Sequence, residues 1–366
     1  MRILTGPAIM LALLPLLCTV EASDSDRIRL VRADSLVSLS DDMQEMTELW
    51  GDVELMQGTA HLKCDAGRWW EDNNRIILTG HVSIHDGKRT LTARWVDYHG
   101  DTGVEKAVGD ARLVEENREI SADTLTYNQH EERVDAAGHV RISDIIEKAD
   151  LEAGHVFYER LTGYSRAAEN PVLMKVDTVS GDTLHIYGTV MEVWADEERA
   201  TVTDSIRIRK GPMSARCQYA EYRADQEELL LAVRPVVFHQ QHEMSGDTIR
   251  VYLEDVHLKG VLLQGQAHVV SSDSIYQDLL EGALITVNAV RDTIREVIVE
   301  HQARSFYHIR DEDETVQGAN DVTGDRIVMS FGSGKLETVL VESDPGQCTG
   351  EYIPETAEGG KKGRGT

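Results

Sequence analysis

Apolar and polar residues alternate along most of the chain with a period of two, in phase with a recurring glycine. Two and four positions after Gly80 stand Val82 and Ile84, whereas His81 and Ser83 between them are polar. Alternation of this kind gives a β-strand one apolar and one polar face. The phase repeats every 29 residues, at Gly51, Gly80, Gly109 and Gly138. The pattern therefore predicts half-buried strands that recur along the chain.

Each 29-residue repeat contains a second alternating stretch and two polar breaks. In the repeat that begins at Gly80, a break at His85–Lys88 is followed by a second stretch at Thr90–Tyr98. Asp-Gly and other Gly- or Asn-rich breaks between alternating stretches are typical of β-hairpins. No convincing amphipathic helix occurs between Arg27 and Val341. The predicted fold class is all-β, with stacked antiparallel hairpins that bury their apolar faces against their neighbours.

The order of segments predicts an exported chain with two lobes. Residues 1–22 combine Arg2, an apolar run and small residues before Ser23, which predicts a cleaved signal peptide, although a retained membrane anchor stays open. The strict spacing ends near residues 160–170, which suggests one lobe at 23–165 and a more divergent one at 166–344, or one continuous stack. The polar, Gly-rich residues 345–366 are expected to be disordered.

Charge and cysteine content exclude several kinds of site. The formal net charge is −27, so we expect the chain to repel nucleic acid and anionic bilayers. After the signal segment the cysteines are Cys64, Cys217 and Cys348, which are far apart and form no CxxC pair. They predict no zinc site, and one disulfide remains open.

Two short motifs resemble functional sites without fulfilling their requirements. In Phe331–Thr338 (FGSGKLET), Met329 stands where a phosphate loop needs its first glycine and Leu336 where it needs Ser or Thr, so a hairpin turn is predicted. In His239–Glu243 (HQQHE), residues three apart on one strand point to opposite faces, which predicts surface histidines and no metal site.

Aspartates recur at matching positions of the repeats. Their recurrence favours a structural role at turns or bulges over paired catalytic carboxylates. The sequence also contains no Gly-x-Ser-x-Gly nucleophile motif, so we expect no enzymatic activity and no cofactor. The recurring residues are Asp65, Asp123, Asp150, Asp182 and Asp247.

The phased repeat resembles the OstA-like family, which includes the periplasmic lipopolysaccharide-transport protein LptA and the N-terminal domain of LptD. The resemblance is strong over residues 50–151 and weaker up to Val341. It implies an elongated, V-shaped (taco-like) β jelly roll whose apolar interior shields acyl chains and whose edge strands stack on partners. The residues that carry it are Gly80–Ile84 with Thr92–Arg94, Gly109–Leu113 with Ser121–Tyr127, and Gly138–Ile142.

What the resemblance implies is a periplasmic lipopolysaccharide-binding protein that bridges the inner and outer membranes. Its implied partners are the acyl chains of lipopolysaccharide, LptC-like and LptD-like jelly-roll proteins, and a second copy of the chain. The alternatives are a secreted structural β-solenoid or scaffold with a closed core, and an inner-membrane-tethered LptC-like component. The residues expected to line the groove are Leu55, Leu78, Val82, Ile84, Leu91, Leu113, Ile120, Val140 and Ile142.

Overall fold

The structure of the protein is a computed structural model that describes residues 27–40, 45–87, 89–178, 180–254, 257–273, 275–311, 315–332, 335–345 and 347–355. Within these ranges there are 26 β-strands and two single 3-10 turns, at Arg160–Thr162 and Ala195–Glu197, and no α-helix. The predicted all-β class built from antiparallel hairpins is therefore confirmed. The predicted signal peptide lies outside the described residues.

The chain divides into two compact units between Thr203 and Asp204. We call the described residues before this boundary the N-terminal unit and those after it the C-terminal unit. The strands of the N-terminal unit are β1 Arg29–Arg32, β2 Ser35–Ser40, β3 Glu45–Gln57, β4 Ala60–Trp70, β5 Arg75–Asp86, β6 Arg89–His99, β7 Val104–Glu115, β8 Arg118–Asn128, β9 Arg133–Asp144, β10 Ala149–Glu159, β11 Tyr164–Ala168, β12 Val172–Val176, β13 Thr183–Tyr187 and β14 Val190–Trp194.

The unit boundary falls within β15. The strands from there to the end of the described chain are β15 Arg199–Lys210, β16 Met213–Arg223, β17 Glu228–Ala232, β18 Val236–His239, β19 His242–Ser245, β20 Thr248–Glu254, β21 His257–Ser272, β22 Gln277–Val290, β23 Thr293–Arg310, β24 Val316–Gly332, β25 Lys335–Glu342 and β26 Thr349–Pro354.

In the N-terminal unit, β3 to β10 form a meander in which each strand pairs antiparallel with its predecessor and its successor. These strands are 11 to 13 residues long, about twice the usual length. Leu78 of β5 lies opposite Val96 of β6, which in turn lies opposite Ala107 of β7. The apolar positions of successive repeats therefore stand side by side on one face.

Each long strand bends near its middle, where the pairing register shifts. In β5 the shift lies between Thr79 and Val82, and the two residues between them, Gly80 and His81, have φ angles of 75° and 40°. Two consecutive residues in the left-handed region redirect β5, and the equivalent pairs in β3, β7 and β9 also have positive φ angles. The register of the intervening strands shifts at the same level, so each strand contributes one half to each of two sheets joined at the bends. We call these two sheets leaf A and leaf B, and the line of bends the apex.

The two leaves are defined by the strand halves on either side of the apex. Leaf A consists of residues 53–57, 60–64, 82–86, 89–93, 111–115, 118–122, 140–144 and 149–153. Leaf B consists of residues 45–50, 66–70, 75–79, 95–99, 104–108, 124–128, 133–137 and 155–159.

The core of the N-terminal unit lies between the leaves. One apolar cluster joins Ile84 and Leu91 from leaf A to Leu78 and Val96 from leaf B, all at most 1% exposed. The polar positions between them face outward, as the period of two requires. Each hairpin alone would leave its apolar face in water, so stacking of the hairpins and apposition of the leaves stabilise the unit together.

The loss of regular spacing near residues 160–170 does not interrupt the meander. One half of β10 pairs with β11 and the other half with β12, so β11 and β12 act as two halves of one bent strand. The bend is made by Glu169 and Asn170, with φ angles of 63° and 62°. The bent hairpins therefore continue through this segment although the bend contains no glycine. The predicted boundary between residues 165 and 166 lies inside β11, and the structure has its boundary between Thr203 and Asp204 instead.

The last described strand corrects the prediction of a disordered tail from residue 345. Residues Thr349–Pro354 form β26, which pairs antiparallel with residues 318–323 of β24. Tyr352 and Ile353 favour a strand, but the polar composition around them concealed this short signal. Residues 356–366 of the predicted tail lie outside the described residues.

Candidate functional site

The apex explains the recurring glycines and most of the recurring aspartates. A Cβ atom added to Gly80 would lie 2.9 Å from the Cβ of Asp65 on the neighbouring strand, and one added to Gly138 would lie equally close to Asp123. Both glycines have a φ of 75°, which a side chain rarely adopts. The glycine thus supplies the bend and leaves room for the aspartate packed against it.

The predicted turn or bulge role is confirmed at the apex for three of the five aspartates. Asp247 packs against Gly265 as Asp65 and Asp123 pack against their glycines. The other two lie elsewhere: Asp182 belongs to a turn, as predicted, whereas Asp150 lies within β10 and accepts a 2.5 Å hydrogen bond from Ser143. Sequence reasoning missed a further member, because Asp34 occupies the same position against Gly51.

The outer surface of the apex is polar and exposed. His81 contacts Asp65 with 2.8 Å between Nδ1 and Oδ2, and His139 contacts Asp123 at the same distance. Both histidine side chains are 92% exposed. Among the described residues, no group of His, Cys, Asp and Glu side chains is arranged to hold a metal ion.

All nine residues expected to line a groove lie in or against the packed interior of the N-terminal unit. Ile142 is half-buried against the core cluster, and the other eight are at most 2% exposed. Their side chains pack together and fill the space between the leaves. The structure thus shows them on the inner face, and contact with acyl chains remains a prediction. The eight buried residues are Leu55, Leu78, Val82, Ile84, Leu91, Leu113, Ile120 and Val140.

The free edges of the two leaves, opposite the apex, are tied by side-chain contacts. Near the first strands, the side chain of Asn74 in leaf B's turn accepts a 2.9 Å hydrogen bond from the backbone N–H of Ile28. Gln57 at the end of leaf A donates a 3.4 Å hydrogen bond to the carbonyl oxygen of Gly100. These contacts close the edge of the interior, and no backbone ladder joins the leaves there among the residues that the structure describes.

A buried ion pair also joins the leaves. Arg89 at the free edge of leaf A donates a 2.8 Å hydrogen bond to Glu105 at the free edge of leaf B. Both side chains are at most 8% exposed. The Arg89 guanidinium carbon lies 4.7 Å from the ring centroid of Tyr127, and Oε2 of Glu105 is buried without a hydrogen-bond partner. Burial raises the pKa of Tyr98, and the charge of Glu105 raises it further.

In the C-terminal unit, one row of side chains beyond the bends is less completely buried. Val269 lies opposite Leu280, Leu280 opposite Ser305, and Ser305 opposite Val322. The three apolar side chains are half-buried, whereas Ser305 is fully buried and its hydroxyl has no hydrogen-bond partner. This row therefore presents apolar surface that remains partly accessible.

The first strands expose apolar residues along an edge. Among the described residues β2 pairs with β3, and its other edge has no strand beside it. Its Leu36, Val37 and Leu39 are 47–53% exposed, and Val31 of β1 is 55% exposed. An edge with exposed apolar side chains is a template for addition of another strand.

The remaining motifs serve the fold. Lys335 of β25 pairs with Gly332 of β24, which confirms the predicted hairpin in the FGSGKLET segment. The single strand assumed for HQQHE is wrong, since His239 and His242 pair across the turn between β18 and β19. Burial lowers the pKa of His239, and the nearby His242 lowers it further.

None of the three described cysteines forms a disulfide. Cys64 and Cys217 are buried and Cys348 is exposed. Burial raises the pKa of both buried thiols to about 11, which makes them poor nucleophiles at neutral pH. The described residues contain no helix that is long and apolar enough to span a membrane.

Comparisons with known proteins agree with the repeat. Residues 25–135 match the model of a family described as OstA-like protein. No curated protein matches the sequence. Among solved structures, the chain is similar to LptH from Pseudomonas aeruginosa, described as the LptA homologous periplasmic component of the lipopolysaccharide transport device. The identity is 13%, the alignment covers 40% of this chain and 82% of LptH, and the TM-score is 0.20, so this likeness adds nothing to the fold described above.

Proposed function

We propose that this chain, which is OstA-like over residues 25–135, is a lipopolysaccharide-binding transport protein of the periplasm. It holds acyl chains between the leaves of its bent hairpins and passes the lipid along a bridge between the inner and outer membranes. Export with removal of residues 1–22 belongs to the same proposal. An N-terminus at Ser23 in the exported protein supports it, whereas an intact Met1 supports a tethered, LptC-like component.

The observation that carries the proposal is the division of the N-terminal unit into two leaves with one apolar interior. The backbone connects the leaves at the apex, while contacts such as Gln57 with Gly100 and Arg89 with Glu105 tie the free edges. Parting the leaves therefore breaks side-chain contacts and leaves the hydrogen-bond ladder of each leaf intact. An acyl chain that replaces the lost contacts recovers about 25 cal/mol for each Å² of apolar surface it covers.

The net charge of −27 favours recognition through the acyl chains. A phosphate-bearing head group is repelled by a strongly acidic protein, so capture by charge is unfavourable. Burial of the acyl chains with the sugar portion in water avoids this cost. Directional movement then needs energy from an ATP-driven extractor in the inner membrane.

We further propose that edge strands join this chain to LptC-like and LptD-like jelly-roll proteins or to a second copy. The supporting observation is the exposed edge of β2, with Leu36, Val37 and Leu39 about half-exposed. Addition of a strand satisfies the unpaired backbone groups of an edge and covers such side chains at the same time.

Burial of eight of the nine predicted groove residues to at most 2% exposure favours a second candidate, a secreted scaffold with a permanently closed core. Ile84 and Leu113 are at most 2% exposed, and a side chain at this exposure offers no surface to a ligand until the leaves part. The two candidates differ in whether the interior opens, and not in which residues face it.

Site-specific photocrosslinking in cells distinguishes the two. A photoreactive amino acid replaces Ile84, Leu113 or Ile142, and Arg112 on the outer face of leaf A serves as the control. We expect lipopolysaccharide adducts at the three apolar positions and none at Arg112. Absence of adducts at all three, in protein shown to be folded and exported, overturns the transport proposal in favour of the scaffold.

A further inference from the structure

The Arg89–Glu105 pair is an exception within the repeat. The positions 29 residues before and after Glu105 are Ile76 and Val134, which are buried on leaf B. One repeat before Arg89 stands Ala60. The edge of leaf B therefore accepts an apolar residue in the neighbouring repeats, and a charge there is not a requirement of the fold.

One repeat after Arg89 stands another arginine, Arg118. Arg118 donates a 2.7 Å hydrogen bond to Asp144, which lies on leaf A like Arg118 itself. The opposite position on leaf B is Val134, which offers no acceptor side chain. The repeat position that supplies the carboxylate of Glu105 opposite Arg89 is therefore apolar in the next repeat.

A buried ion pair and an apolar contact respond differently when the leaves part. Desolvation offsets much of the attraction within a buried pair, and both charges regain water on opening. An apolar contact instead exposes hydrophobic surface to water, which is unfavourable in proportion to its area. The leaf edges should therefore separate more readily at Arg89–Glu105 than at the equivalent apolar edge near Val134.

We propose that the Arg89–Glu105 pair is a latch, the point at which the two leaves part to admit an acyl chain. The buried Oε2 of Glu105, which has no hydrogen-bond partner, fits this role because it is a group that gains a partner when water enters. The proposal deepens the proposed function and rests on it for the identity of the ligand, but opening of the latch is measurable without any ligand.

The test compares two engineered cysteines at equivalent positions of the repeat. Leu91→Cys and Ile120→Cys are 29 residues apart, and both side chains lie on the inner face of leaf A and are at most 2% exposed. Leu91 lies two residues from Arg89, and Ile120 two residues from Arg118. Each is introduced separately into the full chain with its own cysteines replaced by alanine, and labelling by N-ethylmaleimide is followed by mass spectrometry.

We expect Leu91→Cys to be labelled about tenfold or more faster than Ile120→Cys. The double replacement Arg89→Met/Glu105→Ile, which removes both charges together, should slow labelling at Leu91→Cys to the rate at Ile120→Cys and leave Ile120→Cys unchanged. Replacing both partners leaves neither Arg89 nor Glu105 as a charge without the other, and the melting temperature of each variant is measured to show that it is folded.

The matched control is the ion pair of Arg112 and Glu119 on the outer face, with 2.5 Å between Nε and Oε1. Arg112→Gln/Glu119→Gln should leave labelling at Leu91→Cys unchanged. Equal labelling at the two cysteines, or labelling at Leu91→Cys that the apolar replacement does not slow, overturns the latch. Should Leu91→Cys fail to fold, the pair Ala93→Cys and Ala122→Cys, also 29 residues apart and at most 8% exposed, takes its place.

Uptake of the fluorescent fatty acid cis-parinaric acid separates the latch from the proposed function. If the latch and the function both hold, the native chain takes up the probe and Arg89→Met/Glu105→Ile takes it up about tenfold more slowly. If the native chain takes up no probe while Leu91→Cys still shows latch-dependent labelling, the latch stands and the lipid function falls. If the native chain and Arg89→Met/Glu105→Ile take up the probe at an equal rate, the latch is not the entry point.

Discussion

At the scale of single residues, the bends show how a backbone conformation selects side chains. Gly80 adopts a φ of 75° while Asp65 packs against it, so a side chain at this position meets both strain and a steric clash. Gly87, in the following turn, has a φ of 56° but no atom within 4 Å of an added Cβ. A comparison of substitutions at the two glycines therefore distinguishes the free-energy cost of backbone strain from that of the steric clash.

We expect Gly80→Ala to lower the free energy of unfolding by about 3 kcal/mol and Gly87→Ala by about 1 kcal/mol, because Gly87→Ala introduces strain alone. Urea denaturation of the two variants and the native chain measures both values. Equal losses would show that the Asp65 contact adds nothing and that the glycine is needed for its φ angle alone.

Residue chemistry also limits what the sequence reveals about the bends. The glycine and aspartate signature predicted the role of Asp65, Asp123 and Asp247, since glycine is the residue that tolerates a positive φ. Later bends use Glu169–Asn170, Val233–Arg234 and His301–Gln302, all with positive φ angles. These residues are unremarkable in sequence, so the bends they form are not predictable from it.

At the scale of secondary-structure elements, the exposed edge of β2 is the feature most open to test. Val37→Lys places a charge on this edge, which opposes strand addition by desolvation and repulsion. We expect the variant to weaken the proposed association with a second copy or with an LptC-like partner by about tenfold or more, measured by analytical ultracentrifugation and in-cell crosslinking.

Ile275→Lys provides the control for this edge. Ile275 is 80% exposed and lies in the turn between β21 and β22, away from β2 in the sequence and in the other unit. The Ile275→Lys variant should leave the association unchanged. Equal loss in both variants would point to general solubility effects, and loss in neither would remove β2 as the interface.

Elements were predictable where alternation is long and the breaks between strands are polar. The hairpins from β3 to β10 met both conditions, so their existence followed from the sequence. Two short elements did not meet these conditions and were not predicted. The turn at Gln240–Gln241 lacks glycine and proline, which concealed the β18–β19 hairpin, and β26 has two apolar residues in a polar setting.

At the scale of the whole molecule, the net charge of −27 sets the response to salt. Repulsion among like charges destabilises a compact chain, and salt screens it. Raising the ionic strength from about 0.01 M to about 0.15 M shortens the Debye length from about 30 Å to about 8 Å. We expect the melting temperature to rise, as measured by differential scanning calorimetry. A fall would mean that exposed ion pairs such as Arg112–Glu119 outweigh the general repulsion.

The sequence could not decide between a groove and a closed core. Alternation identifies the inward face of each strand, and the inward positions expected from Leu55 to Ile142 do face the interior or pack against it. Whether the space between two inward faces is filled depends on the distance between the leaves. That distance is set by the bend angle and by contacts such as Arg89–Glu105, which no local pattern encodes.

The meander of the N-terminal unit makes its length adjustable. Each hairpin pairs with its chain neighbours, so inserting one complete 29-residue repeat between two bends preserves every existing contact type. Neighbouring strands lie about 4.8 Å apart, and each repeat therefore adds about 10 Å along the stacking direction. Duplication of repeats can therefore adjust the length of such a unit, in steps of about 10 Å, to the width of the gap that it spans.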